Sequence, residues 1–425
     1  MKAYKQINKC RICNSKKLIN IINLNDQYLQ GSFIKKNIPK PYLKKIPLQL
    51  LLCTNCLLVQ LRHTTSKNVL YKNYWYESGI NSTMRNHLKN LAHEASNMIN
   101  KKNMKVKVLD IGCNDGTLLN FYNKNFKKFG IDPSQIIKKI KNNQINIVND
   151  FFPLKKKNKK IRGKKFDIIT SIAMFYDLND PNTFVKEIKN YLKKDGIWIF
   201  ELSYLVDMLK LNSFDTICHE HLEYYSLSTL EYLMKKHNLK IFKVSKNTIN
   251  GGSIRCFVAH KDCNLHNDIN DFNLFKILIK KEKKIGINRI KTYKKFSSNI
   301  LKLKKNLKKK IKNIKNNNES IFILGASTKG NTILQYLNID NSIIPFAIER
   351  NKEKIGAKTI GTNINIISES EAKKIQPNYK LVLPWHFKKE IINRELTYIK
   401  NNGKLIFPLP KILIITKYNY MNHAK

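Results

Sequence analysis

The sequence predicts an α/β protein: a doubly wound, largely parallel sheet, preceded by a four-cysteine module and followed by a second α/β unit. Three observations predict it. Two C-x-x-C pairs open the chain, "CRIC" (Cys10, Cys13) and "CTNC" (Cys53, Cys56). The middle then runs through "KVKVLDIGCNDGTLLNFYN", "KKFGIDPS", "INIVNDFF", "FDIITSIAMFYDL" and "DGIWIFELSYL", each a short apolar run followed by loop residues and a helical stretch. Strands that alternate with helices imply a parallel sheet. The same rhythm returns near the end in "SIFILGASTKGNTILQYL", "IIPFAIERN", "YKLVLPWHF" and "GKLIFPLP". A chain of 425 residues is too long for one typical core and fits two or three domains.

The first element is the cysteine module, residues 1–70. Each C-x-x-C turn presents two thiolates to one tetrahedral zinc, and two such turns, separated by 39 residues, complete a closed site. A redox role needs one such motif at a helix start and gives no reason for two. Iron–sulfur ligation and unligated thiols are the other readings. With all four positions filled by protein, the metal is structural: it holds the module together and offers no open position for catalysis.

The second element, residues 71–270, starts with an aromatic loop and an amphipathic helix in "YKNYWYESGINSTMRNHLKNLAHEA" and continues into the sheet. Residues 271–319 form a basic helical connection rich in Lys and Ile at helical spacing, read as a charged helix face. Residues 320–425 form the second α/β domain. The formal net charge of +49 raises nucleic acid or an anionic membrane as partners. Only eight of the 79 basic residues are Arg, however, and the lysines spread through every segment instead of gathering with aromatics on one face. Nucleic acid is therefore not the expected partner. No stretch approaches the roughly 20 apolar residues of a membrane span, and "MKAYKQINKC" lacks an apolar signal core. A cytoplasmic monomer is expected.

The turn "DIGCNDG" fits a nucleoside-binding crevice at the carboxyl ends of parallel strands. Gly112 and Gly116 let the backbone approach a ligand, and Asp132, roughly 20 residues on, is placed to accept from ribose hydroxyls. A dinucleotide site shows G-x-G-x-x-G here. This chain has G-x-x-x-G preceded by an acid, Asp110, the form typical of S-adenosylmethionine methyltransferases. A glycine turn alone is weak evidence. Asp132 and the stretch "NDFF", with Asp150 and Phe151 where an acid commonly meets adenine, make it specific.

After the strand "GIWIFEL" comes "FDTICHEHLEYYSL", on the side of the sheet where a methyl acceptor would lie. His219 and His221 are two apart, whereas metalloprotease histidines stand four apart on one helix face. A clear third metal ligand is missing, which leaves acid–base chemistry or a structural polar turn. Imidazole suits the former, since its unperturbed pKa of ~6.5 allows proton transfer near neutrality and a neighbouring carboxylate can orient it.

The stretches "CRIC", "CTNC", "YWYESGINSTMRNHL", "VLDIGCNDGTLL", "FDTICHEHLEYYSL", "NGGSIRCFV", "LGASTKGNTILQY" and "LVLPWHF" resemble, in order and over essentially the whole chain, the sugar C-methyltransferase family. That resemblance implies a zinc-binding domain, a class I S-adenosylmethionine domain and a C-terminal Rossmann-like domain. It also implies a nucleotide-linked 4-keto sugar as substrate, methylated at a carbon beside the ketone. By motif, His221 would be the base, Glu220 its partner and Tyr76 a hydrogen-bonding residue facing the enolate. One departure stands out: the position before His219, often tyrosine in the family, is Cys218, which leaves Tyr76 or Tyr224 as substitutes. The glycines of "GASTKG" are off the dinucleotide spacing although Glu349 could serve as a ribose acid. The resemblance instead implies that this domain closes over the nucleotide sugar, with Lys329, Trp385 and His386 as contacts; a core turn with a buried Trp is the equal reading of "LPWHF". The alternatives are an O- or N-methyltransferase, and a zinc-containing nucleic-acid-binding protein.

Overall fold

The structure, a computed structural model, describes residues 3–36, 41–70, 77–99, 105–154, 158–264 and 272–424. Among them four sheets form. The central sheet has seven strands in the order Leu239–Asn247, Ser253–His260, Leu192–Ser203, Phe166–Ile172, Lys107–Ile111, Lys127–Ile131 and Ile145–Val148. The last five run parallel, and the first two join antiparallel at one edge. Its strands are apolar on both faces, as a sheet covered on both sides requires: Val108, Leu109, Ile168, Ile169, Ile197 and Phe200 are all fully buried.

Helix starts follow local chemistry. Asn81 caps the helix Ser82–Asn97, its side chain accepting from the backbone N–H of Thr83 and Met84. The helix Pro181–Tyr191 has Pro at its first turn and Asp180 as cap. In the long helix Ile290–Asn316, Tyr293, Phe296, Ile300, Leu303, Leu307, Ile311 and Ile314 recur every three or four residues and are buried, while the lysines between them are exposed, apart from Lys304 over the Tyr336 ring. This is the charged helix face expected for the connection. No helix among the described residues is long and apolar enough to cross a membrane.

The C-terminal unit contributes seven strands to an eight-stranded sheet, with Tyr379–Val382, Ile321–Leu324, Phe346–Glu349 and Asn365–Ser368 parallel at its centre. Two exchanges tie the units together. Phe33–Ile34, from the cysteine module, pairs with Lys358–Thr359 at the edge of the C-terminal sheet. Glu223–Tyr224, just after the His-Glu-His stretch, pairs with Val59–Leu61 and becomes the edge of the cysteine module's sheet. Two-residue strands carry no readable period, so these exchanges left no mark in the sequence. The burial follows suit: one apolar cluster runs from Leu48 and Leu50 through Phe214 and Leu222 to Ile323 and Leu381.

Candidate active site

Cys10, Cys13, Cys53 and Cys56 bring their four sulfurs within 4.8 Å of one another. The Cys10–Cys56 and Cys13–Cys53 separations are each 3.5 Å, close to the ~3.8 Å edge of a tetrahedron with Zn–S of ~2.3 Å. Both turns are built alike. Asn14 N–H donates to the Cys10 carbonyl at 3.0 Å and Leu57 N–H to that of Cys53 at 2.9 Å, each from a left-handed residue (φ 59° and 63°). The donor set fits zinc and is complete without a solvent ligand.

At the carboxyl ends of the central strands a cavity is lined by Asp110, Gly112, Asn114, Asp132, Asp150, Phe151 and Met174. Gly112 turns with φ 77°, and a Cβ there would come 2.9 Å from Met174 Cγ. The cradle thus needs glycine. Asp132 accepts from Asn114 N–H at 2.9 Å and from Ser134 N–H and hydroxyl at 2.8 and 2.6 Å. Three of its roughly four lone-pair positions are filled, which fixes the carboxylate and leaves one for a ligand hydroxyl. Asp150 accepts from Phe151 N–H at 2.7 Å. Asp110 accepts from the Thr170 hydroxyl at 2.6 Å, and burial pushes its carboxyl up to about 7. Gly116 departs from expectation. It stands outside the cavity lining, its φ of 76° starts the helix Thr117–Phe121, and the space above it holds Ile140.

Sequence reasoning missed Glu201, at the end of the strand Leu192–Ser203 and on the cavity wall. It meets His87 Nε2 at 2.6 Å and accepts from Arg255 Nε at 2.9 Å and Asn247 Nδ2 at 3.0 Å. Burial raises its carboxyl, but His87 and Arg255 more than offset this and hold it below the usual range. Its signal, an acid closing the apolar run "WIFEL", was present but looked like any strand end.

Beyond this cavity lies the stretch 214–224. His221 Nδ1 donates to the Thr216 carbonyl at 2.8 Å, and the Tyr176 ring packs edge-on at 4.4 Å. Burial, with the nearby Lys329 charge, holds this imidazole down to about 4. His219 is fully buried, with Gln30 Oε1 2.8 Å from Nδ1 and the Ile46 carbonyl 3.0 Å from Nε2, to one of which a neutral ring donates. The two histidines thus have different tasks.

The expected Glu220–His221 pair is not formed. The Glu220 carboxylate instead lies over Gly31, near Thr328, and burial pushes it up to about 7. The imidazole's partner is Thr216, whose carbonyl also accepts from Tyr224 OH at 3.4 Å. Tyr224 is therefore turned into the loop it supports. Tyr76 lies outside the described residues.

The C-terminal unit completes the wall. Trp385 Nε1 donates to Asp215 Oδ2 at 2.8 Å, Lys329 Nζ donates to the Asn250 carbonyl at 2.8 Å, and a Cβ on Gly251 would come 3.4 Å from Trp385 Cη2. Asn250 and Asp177, the neighbour of Tyr176, also line the cofactor-side cavity. Lys329 thus reaches from the C-terminal unit to the cavity wall at Asn250.

Three family models match in succession: "Putative zinc binding domain" over residues 10–71, "Methyltransferase domain" over 80–244 and "C-methyltransferase C-terminal domain" over 248–410. C-methyltransferase NovU of Streptomyces niveus is 25% identical over 415 residues, 96% of this chain and 97% of that protein. Among solved structures, an S-adenosylmethionine-dependent methyltransferase from Clostridium acetobutylicum is 13% identical, with a TM-score of 0.33 over 41% of this chain and 92% of the other. The plantazolicin methyltransferase BpumL is 16% identical, with a TM-score of 0.34 over 42% and 86%. The glycine cradle, the fixed acids beside it and the four-sulfur cluster agree with the family models in calling for S-adenosylmethionine and structural zinc. The chain is thus an S-adenosylmethionine-dependent methyltransferase, in which matches to a zinc-binding domain, a methyltransferase domain and a C-methyltransferase C-terminal domain follow one another.

Proposed function

We propose that the enzyme methylates a carbon adjacent to the ketone of a nucleotide-linked 4-keto sugar, with His221 as the base. The observation that carries this reading is the 2.8 Å hydrogen bond between His221 Nδ1 and the Thr216 carbonyl. A carbonyl only accepts, so Nδ1 holds the ring proton and Nε2 keeps a basic lone pair. With the imidazole held down to about 4, the ring is neutral at physiological pH and ready to receive a proton. Negative charge appearing on the substrate as its C–H bond breaks favours the imidazolium at that moment, so the weak resting base strengthens along the reaction.

Asp132 would hold the ribose hydroxyls of S-adenosylmethionine and Asp150 with Phe151 its adenine, while Gly112 admits the chain of the cofactor. Bound there, S-adenosylmethionine supplies an electrophilic methyl group to the enolate carbon. Glu220, with its carboxyl near 7, is available to a sugar hydroxyl as donor or acceptor. The match to a C-methyltransferase C-terminal domain supports carbon as the methyl acceptor. Incubation with methyl-labelled S-adenosylmethionine and a panel of nucleotide-linked 4-keto sugars, followed by NMR of the product, tests the reading. A C–CH3 group beside the carbonyl is expected. An O-methyl product, or labelling only of acceptors without a ketone, would contradict it.

A further inference from the structure

We propose that Lys329 is the cation that stabilises the enolate oxygen, a task for which the thiol at Cys218 is too weak a donor; the inference rests on the carbon-methylation reading above. An enolate oxygen needs a strong donor aimed at it before the charge appears. Cys218 is fully buried and a thiol is a weak donor. Burial also pushes its ionisation well up, so it stays neutral.

Lys329 sits in the first turn of the helix Thr328–Leu337, capped by Ser327, whose hydroxyl accepts from Gly330 N–H at 3.0 Å. That helix is fastened to the His221 stretch, since Thr332 Oγ1 donates to the Ile217 carbonyl at 3.2 Å. Asn331 Nδ2 donates to the Gln30 carbonyl at 2.7 Å, next to the Gly31 on which Glu220 rests. From this base Lys329 reaches across to the Asn250 carbonyl, on the wall of the cofactor cavity. Only one of its three N–H groups is used in that bond.

Around it stand polar atoms without partners. Asp215 Oδ1 and His386 Nδ1 are buried and unpaired. Burial lowers the Lys329 ammonium and the adjacent Asp215 carboxylate draws it back up. The lysine in turn acts on His221, His386 and Asp215, and it is the charge that depresses both imidazoles beyond burial. One cation, hydrogen-bonded to the cavity wall at Asn250, therefore acts on the base as well.

The electrons balance as follows. The C–H bond beside the ketone breaks, its proton goes to His221 Nε2 and its pair becomes the C=C bond. The carbonyl π pair moves to oxygen, where the Lys329 ammonium donates to it and stays protonated. On methyl transfer the C=C pair forms the new C–C bond, the C=O bond returns, and the pair of the broken S–CH3 bond stays on sulfur.

The test uses full-length zinc enzyme and dTDP-4-keto-6-deoxyglucose in D2O, following deuterium entry beside the ketone. Zinc content and S-adenosylmethionine affinity establish that the variants fold. Lys329→Met should lower the maximal exchange rate by ~10²–10³-fold while KM changes by less than about threefold. Added ethylamine should recover at least ~10-fold of the loss in Lys329→Ala, as only a missing ammonium would allow. Exchange at the wild-type rate in Lys329→Met, or a raised KM with an unchanged rate, overturns the inference; the latter would make the lysine a phosphate or ground-state contact. Exchange lost in His221→Asn but kept in Lys329→Met overturns this inference alone. No exchange by the wild type overturns it together with the reading beneath it.

Discussion

His219 and His221 are two residues apart, yet His219 has an acceptor at each ring nitrogen while His221 has one at Nδ1. Both are held down to about 4, chiefly by burial. A histidine near 4 when folded and ~6.5 when unfolded contributes stability that is present above pH ~6.5 and is lost as the pH falls towards 4, because only the unfolded chain then binds the proton. For the fully buried His219 this amounts to ~3 kcal/mol. His219→Gln should therefore flatten the loss of stability between pH 6.5 and 4 in urea titrations; an unchanged slope would show that His219 is not buried neutral. For His221 the expectation is kinetic. The acid limb of kcat/KM should lie well below 6.5, and a limb at or above 6.5 would show that another group limits the rate. In the cofactor cavity, Asp132→Ala removes a charge-assisted bond. It should weaken S-adenosylmethionine binding by about tenfold or more, and calorimetry showing equal affinity would remove Asp132 from the ribose site.

At the scale of elements, the zinc turns matter through the strand that follows them. Cys56 leads directly into Val59–Leu61, which pairs with Glu223–Tyr224, the continuation of the His221 loop. Arg11, between the first two cysteines, is buried with its Nε 3.7 Å from Glu223 Oε1. The metal thus braces the loop from behind. Cys10→Ser combined with Cys53→Ser should lose zinc and reduce turnover more than S-adenosylmethionine affinity, since the cofactor cavity draws no residue from the turns. Retained zinc by elemental analysis, or unchanged turnover, would contradict this. These elements also mark what could be read in advance. The cysteine spacing and the "DIGCNDG" turn were legible because their chemistry is local, four sulfurs for one ion and a glycine where no Cβ fits. The Thr216 carbonyl on His221 was not, because a backbone acceptor has no letter in the sequence. The capture of Glu223–Tyr224 by a distant strand was hidden for the reason that two residues show no alternation.

At the scale of the molecule, the candidate site lies where two units meet: the loop 214–224 and the turn at Ile249–Gly251 belong to the central unit, and Lys329, Trp385 and His386 to the C-terminal one. Lys329 and Asp215 lie far apart along the chain, and no motif announces their approach. The expectation that Glu220 partners His221 failed for the same reason, as Gly31 of the first unit offers the carboxylate a place the local sequence could not reveal. The central claim is that His221 removes a proton beside a ketone, and isotope exchange addresses it directly. Wild-type enzyme in D2O, given a nucleotide-linked 4-keto sugar without S-adenosylmethionine, should incorporate deuterium beside the ketone. His221→Asn, which keeps an amide near the Nδ1 position but has no counterpart of Nε2, should do so ~10²–10⁴-fold more slowly while binding S-adenosylmethionine as before. Deuterium entry at the wild-type rate in His221→Asn would contradict the account.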